Sequence, residues 1–83
     1  MSATRSGDGN FYIDGFPITP SDTVDLDDIT LAIYVGSDGD VTVETLGGKN
    51  VTFKSVRSGT TLKIRATKIL SSNTTANNLV GLI

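Results

Sequence analysis

The side chains that most often carry out catalysis are rare in this chain. Its 83 residues include no His and no Cys, which removes the commonest general base, the thiolate nucleophile and the usual zinc ligands. Asp25, Asp27 and Asp28 lie close together, but they fall in a predicted surface loop without an evident apolar pocket that would raise a carboxyl pKa. The composition therefore disfavours an enzyme and predicts no cofactor.

A second group of carboxylates has the spacing of half a calcium-binding loop. Asp38 and Asp40 flank Gly39. Calcium takes about six to eight oxygen ligands, and the bidentate Glu that ends a complete loop is missing. Asp-Gly is also a favourable hairpin turn. A turn is the simpler interpretation, and a calcium site near Asp38 and Asp40 is the alternative.

The elements that would position these groups are short strands. From Phe11 onward, runs of β-branched and aromatic residues are separated by clusters of Gly, Asn, Asp and Ser, and no substantial helix is indicated. The predicted strands are 11–18, 29–35, 41–46, 51–56, 61–70 and 79–83. We therefore expect an all-β fold, a small antiparallel β-sandwich or barrel of about six to seven short strands.

Alternation within these runs predicts which side chains point inward. Pro17 cannot donate to a ladder, so the first strand belongs at a sheet edge. Val41 and Val43 face inward while Thr42 faces away. The alternation breaks in the strand 61–70, where a β-bulge near Thr67 would restore the apolar face. In the strand 29–35 the predicted inward residues are Ile29, Leu31, Ile33 and Val35.

The chain divides into a predicted flexible N-terminal arm, 1–10, and one domain, 11–83. The arm is polar and Gly-rich, and its Arg5 is the only base in the acidic half, so we expect it to dock on a partner. A core of this size, without disulfide or metal, usually needs a further stabilising element, and oligomerisation is the one that remains.

Charge is divided along the chain. Net charge is −2, yet all nine acidic residues lie at or before Glu44, and six of the seven basic residues lie at or after Lys49. Acidic and basic strands could pair within one subunit. Alternatively, Lys63 and Arg65 of one subunit could meet Asp25, Asp27 and Asp28 of the next across a heterologous interface. The few bases and acidic pI disfavour nucleic acid, and no apolar stretch is long enough to span a membrane.

Several short motifs, in their order and spacing, resemble the head spike base proteins of gene transfer agents and tailed phages. The resemblance covers about Phe16 to Ile83. It rests on Ile18-Thr19-Pro20-Ser21-Asp22, Ala32-Ile33-Tyr34-Val35-Gly36, Gly39-Asp40-Val41, Val51-Thr52-Phe53, Gly59-Thr60 and Leu62 with Ile64-Arg65. The chain departs from the pattern at Arg57-Ser58, where a Pro-containing turn is expected, and at Lys63, where another Pro is expected.

The resemblance implies a non-catalytic β-sandwich that assembles on a capsid. It would be a homo-oligomer, trimer or pentamer, bound to the major capsid protein and carrying a fibre or spike. Such a protein is made in the host cytoplasm and located in the virion. A capsid decoration or cement protein would use the same kind of module.

A stand-alone carbohydrate- or surface-binding module is the alternative function. Sugar sites usually present exposed aromatic rings in a cleft. This chain has no Trp and only 6% aromatic residues, most of which a core would take up.

Overall fold

The computed structural model describes residues 12–83, and they form the expected all-β fold. Seven strands follow in chain order: β1 (Gly15–Ile18), β2 (Ala32–Val35), β3 (Gly39–Thr45), β4 (Asn50–Val56), β5 (Thr60–Leu62), β6 (Ala66–Leu70) and β7 (Leu79–Leu82). Over these residues no helix is long and apolar enough to cross a membrane.

The strands form two antiparallel sheets. Sheet A has four strands in the order β1-β7-β2-β5, and sheet B has three in the order β4-β3-β6. Buried side chains from both sheets and from the β6–β7 connection form one core: Ile18, Ile33, Val35, Val41, Val43, Val56, Ala66, Ile69, Ala76 and Leu79. This arrangement is a sandwich in which β1 is an edge strand, as Pro17 predicted.

The strand β2 begins later than predicted. Ile29 and Leu31 were expected to face inward, but they are 45% and 38% exposed. The ladder with β7 begins at Ala32, and the Leu31 N–H still donates to the Leu82 carbonyl at 2.7 Å, whereas Thr30 is bonded to the β5–β6 connection and β6. Thr30 is the buried residue of this stretch. Its hydroxyl donates to the Ile64 carbonyl and accepts the Ala66 N–H, both at 3.0 Å, and these bonds hold the segment against the neighbouring chain.

The predicted strand 61–70 is two strands in different sheets. β5 pairs with β2 in sheet A, then the residues 63–65 cross to sheet B, where β6 pairs with β3. The β-bulge predicted near Thr67 is present, because Glu44 pairs with Lys68 whereas Thr45 pairs with Ala66. The extra residue on β6 places Ile69 in the core, with 1% of its surface exposed.

Two connections complete sheet B along the outer edges of its strands. In the β1–β2 connection, Ser21 and Leu26 donate backbone N–H groups to β6, to the carbonyls of Ile69 and Thr67 at 2.8 and 2.9 Å. The β6–β7 connection continues beside β3, where Thr75 donates to the carbonyl of Asp40 at 2.9 Å. Sheet B therefore gains backbone partners beyond its three strands.

Candidate assembly surfaces

The predicted basic group lies on the crossing between the two sheets. Lys63 and Arg65 are exposed in the β5–β6 connection. The β1–β2 connection, called here the acidic loop (residues 19–31), ends beside them because Thr30 is hydrogen-bonded to Ile64 and Ala66. Only Thr30, near the end of the acidic loop, is bonded to this crossing, whereas Asp25 and Asp27 line a cleft beside β1.

The ion pairs among residues 12–83 use a different lysine. Lys68 Nζ lies 3.3 Å from Glu44 Oε1 and 3.6 Å from Asp25 Oδ1. The hydrogen bond with Glu44 raises the pKa of Lys68. Of the five predicted interface residues, Asp25 is therefore engaged within its own chain. Lys63, Arg65, Asp27 and Asp28 belong to no ion pair of the described chain.

A shallow cleft of about 170 Å³ opens between β1 and the acidic loop. Its lining combines apolar and acidic side chains, including Phe16, Pro17, Leu26, Asp25 and Asp27. Most of the exposed lining surface is polar, and it includes the carboxylates of Asp25 and Asp27. The cleft therefore favours a cationic group, such as the head of a Lys or Arg side chain.

Asp38 and Asp40 anchor backbone, as the turn interpretation requires. Asp38 Oδ1 accepts the Ser58 N–H at 2.6 Å, and Asp40 Oδ1 accepts the Ser55 N–H at 2.8 Å. Ser55, with φ of 55°, is the extra residue of a bulge in β4 opposite Gly39 and Val41. Through these two bonds the carboxylates anchor β4 and the turn that follows it. In the described chain no group of three possible metal ligands is found.

Asp38 and Asp40 also border an open groove of about 480 Å³ that Arg57 lines with them. The groove thus carries both signs of charge next to the β4 bulge. Both carboxylates keep their negative charge when they accept a backbone N–H, and the Arg57 guanidinium offsets part of it.

The outer face of sheet B is polar and internally bonded. Thr42 was expected to face away from the core, and it does, but it is buried at 4% exposure. Its hydroxyl lies 2.9 Å from the Thr52 hydroxyl and 3.3 Å from the Asn73 carbonyl oxygen. Beside it, Glu44 and Lys68 form the ion pair already described. Thr42, Thr52, Glu44 and Lys68 on this face therefore have side-chain partners within the chain.

The outer face of sheet A has a different composition. Two cross-strand rows lie on it, Pro17–Val80–Tyr34–Thr61 and Gly15–Leu82–Ala32. These residues alternate along their strands with those that line the core, and none of them belongs to the core cluster. The rows contain no charged residue. We call these seven positions the uncharged face.

Part of the uncharged face is open to solvent. Tyr34 is 40% exposed, and Gly15, Pro17 and Thr61 are exposed as well. Val80 and Leu82 are half-buried, whereas Ala32 is fully buried among its neighbours. The sequence analysis missed this surface. The signal was present in the segments 32–35 and 79–82, where both phases of the alternation are apolar.

Arg5 and the whole predicted arm, 1–10, lie outside the described residues, as does Phe11. The role assigned to Arg5 in docking accordingly stays a prediction.

Comparison with known proteins gives a match among solved structures. No family model and no curated protein sequence matches the chain. Among solved structures, the chain is similar to a protein in the capsid of a native GTA particle, computed with C5 symmetry. The two are 32% identical, with a TM-score of 0.79, over 87% of this chain and 83% of the other. Identity at this level over most of both chains shows common descent, so the protein belongs to the same family as this component of a GTA capsid.

Proposed function

We propose that the protein is a virion structural component of a tailed phage or phage-like particle, a small oligomeric module bound to the capsid surface. The similarity to a chain of a GTA capsid is the observation that carries this proposal. The sequence supports it, since no His or Cys is available for catalysis. Within this class, a head spike base or a decoration protein is the role proposed, with the major capsid protein as the partner and a fibre or spike as possible cargo.

The charged groups support a head-to-tail oligomer. Lys63 follows directly after β5, at one edge of sheet A, whereas the acidic cleft lies beside β1, at the opposite edge. An interface between two different surfaces is heterologous and closes into a ring when the rotation allows. In such a ring, Lys63 or Arg65 of one subunit would occupy the cleft of the next, near Asp27.

Asp25 has a different role in this arrangement. Because it already pairs with Lys68, Asp25 stabilises its own loop, and its attraction for a base of a neighbouring subunit is weakened by the nearby Lys68. Asp27 and Asp28 are exposed and belong to no ion pair of the described chain, so they are the better acceptors for a neighbouring base. The arm with Arg5 is proposed to add contacts with the capsid.

The particle itself tests the proposed function. Purified particles from producing cells should contain the protein at a fixed copy number, and particles from a deletion strain should lack its density in reconstructions. Absence of the protein from intact, purified particles would contradict the proposal.

Charge reversal tests the proposed interface. Lys63→Glu with Arg65→Glu should convert the oligomer into folded monomer, since a lost partner of a partly buried charge pair costs about 2–5 kcal/mol. Asp27→Lys with Asp28→Lys should restore assembly, and Asp25 is left in place because its reversal would break its pair with Lys68. Lys49→Glu with Lys54→Glu changes net charge equally, at the start of β4 and within it, and should leave the mass measured by light scattering unchanged. Normal assembly of the first variant would place the interface elsewhere.

A further inference from the structure

Exposed apolar side chains are concentrated where the chain passes from one sheet to the other. In residues 12–83, three of the seven large apolar side chains that are exposed belong to residues beside the crossing at 63–65: Ile29, Leu31 and Leu46, with 45%, 38% and 51% of their surface exposed. Thr30, between the first two, donates its hydroxyl to the Ile64 carbonyl, and the Leu46 N–H donates to the Arg65 carbonyl at 3.0 Å. These bonds hold the three apolar residues at one end of the sandwich.

The same end carries basic side chains. Lys63 and Arg65 are exposed on the crossing, and Lys49 is exposed in the β3–β4 turn that follows Leu46. None of these three bases belongs to an ion pair of the described chain. A surface that combines exposed apolar side chains with bases favours a partner that presents apolar and acidic side chains. We call the following five residues the crossing patch: Ile29, Leu31, Leu46, Lys63 and Arg65.

The acidic loop presents a surface of the complementary kind. Val24 is 65% exposed, and the exposed residues Asp25 and Asp27 follow it. The cleft beside β1 adds the half-buried side chains of Phe16 and Leu26. The loop contains no basic residue. One chain therefore carries both members of a complementary pair of surfaces.

The charges decide which surface of a second copy the crossing patch fits. Two crossing patches in contact would bring Lys63 and Arg65 of both copies together, and repulsion between like charges opposes that arrangement. A crossing patch against an acidic loop joins apolar with apolar side chains and bases with acids. Val24 and Leu46 both stay more than half exposed in the described chain, so neither covers the other within one subunit. The favoured contact is therefore heterologous and between two copies.

We infer that the crossing patch binds the acidic loop of a second copy, with Leu46 against Val24 and the neighbouring bases near Asp27. This inference rests on the proposed function and adds an apolar contact to the proposed head-to-tail interface. Burial of Leu46 and Val24 supplies affinity, whereas the charge pairs set the register of the two subunits. A contact of this kind that repeats around a closed ring leaves no crossing patch uncovered.

Opposite charges at one position test the chemistry of the occupant. Leu46→Glu places a carboxylate against the acidic loop, and it should raise the dissociation constant of the oligomer about tenfold or more. Leu46→Lys keeps an aliphatic stem and adds a charge that the loop attracts, so its dissociation constant should lie well below that of Leu46→Glu. Tyr34→Glu adds a carboxylate at a position of similar exposure on the uncharged face, and it should assemble like the unmodified protein. Assembly is measured by analytical ultracentrifugation over a dilution series, after thermal unfolding has established that each variant is folded.

Crosslinking tests which residues meet. The chain has no Cys, so introduced cysteines can be joined selectively. Val24→Cys and Leu46→Cys are made as separate single variants, co-expressed and treated with a short bismaleimide, so that any crosslink joins two chains. We expect a crosslinked pair when both variants are present and none with either alone. Val24→Cys co-expressed with Tyr34→Cys is the matched control and should give no crosslinked pair.

The inference and the proposed function fail in different ways. Normal assembly of Leu46→Glu, or crosslinking of Leu46→Cys with itself, would overturn the inference. Equal weakening by Leu46→Glu and Leu46→Lys would also overturn it, because the occupant would not be acidic. An unmodified protein that is monomeric in solution but present in purified particles would overturn the inference and leave the virion role intact. Absence of the protein from intact particles would contradict the proposed function itself.

Discussion

The outer faces of the two sheets differ in how far their residues are bonded within the chain. Sheet B has three strands, but the chain itself supplies what the sheet lacks. The acidic loop donates N–H groups to β6, the β6–β7 connection donates to β3, and the outward polar side chains bond one another. Sheet A has four strands, and on its outer face Ala32 is buried, Val80 and Leu82 are half-buried and Tyr34 is 40% exposed. Sheet B is thus completed largely by bonds within the chain, whereas the outer face of sheet A has few polar side chains to bond.

This difference shows that a charged residue of a small structural protein need not mark an interface with a partner. Charged residues attracted attention first, yet the charges on sheet B are used to hold the subunit together. The ion pairs of Lys68 join β6, β3 and the acidic loop, all within one chain. The uncharged face, by contrast, has no charged side chain and only two side-chain hydroxyl groups, those of Tyr34 and Thr61. Interactions already satisfied within the subunit must therefore be set aside before the remaining surface is assigned to a partner.

The largest effect is expected where the β6–β7 connection closes against β3. A Cβ added at Gly39 would lie 2.5 Å from the backbone nitrogen of Ala76, and backbone there cannot move without breaking the bonds of Thr75 and Ala76 to the Asp40 carbonyl. Gly39→Ala should lower the free energy of unfolding by about 3 kcal/mol, measured by urea denaturation.

The matched control for this prediction is Gly48→Ala. Gly48 also has a positive φ, of 90°, but no atom lies within 4 Å of its added Cβ. The cost there is backbone strain alone, about 1 kcal/mol. Equal losses at the two positions would show that the close approach to Ala76 contributes nothing to stability.

Removing one hydroxyl group from each outer face should lower the free energy of unfolding by different amounts, both smaller than the loss at Gly39. Thr42→Val on sheet B removes a buried hydroxyl that is bonded to Thr52 and Asn73, and it should lower the free energy of unfolding by about 1–2 kcal/mol. Thr61→Val, the same substitution on the uncharged face, removes an exposed hydroxyl and should change it by less than about 0.5 kcal/mol. If the two variants lost equal stability, the claim that bonds within the chain complete sheet B would be wrong.

Much of the fold follows from local patterns in the sequence. Alternation identified the strands, Pro17 placed β1 at an edge, and the break in alternation near Thr67 located a bulge that the structure confirms. The failures occurred where a strand leaves its sheet. Nothing in the run 61–70 marks the crossing at 63–65, because Leu62 and Ile64 stay partly buried on both sides of it. Likewise, Ile29 looks like a core residue until the bonds of Thr30 show that this segment belongs beside β6.

The candidate surfaces were less predictable than the fold. The sequence drew attention to Asp25, but not to its partner Lys68, because the two are brought together only by the acidic loop lying along β6. The uncharged face depends on the register of four strands, which fixes that Pro17, Val80, Tyr34 and Thr61 form one row. Register between distant strands cannot be obtained from the alternation within each of them.

The smallest predicted effect concerns the link between the two connections that complete sheet B. Asp22 in the acidic loop accepts the Ser72 hydroxyl at 2.6 Å and the Ser72 N–H at 2.9 Å, and these bonds lower the pKa of Asp22. Because the folded-state pKa lies below the unfolded value of about 3.9, the link stabilises the fold above that pH and is lost as pH falls through the folded pKa. The melting temperature of Asp22→Asn should therefore lie below that of the unmodified protein near neutral pH and converge with it in acid. Adding Ser72→Ala to Asp22→Asn should cause no further pH-dependent change, since the carboxylate that Ser72 serves is already gone. A difference between Asp22→Asn and the unmodified protein that persists unchanged at the lowest pH would assign the role of Asp22 to its shape rather than its charge.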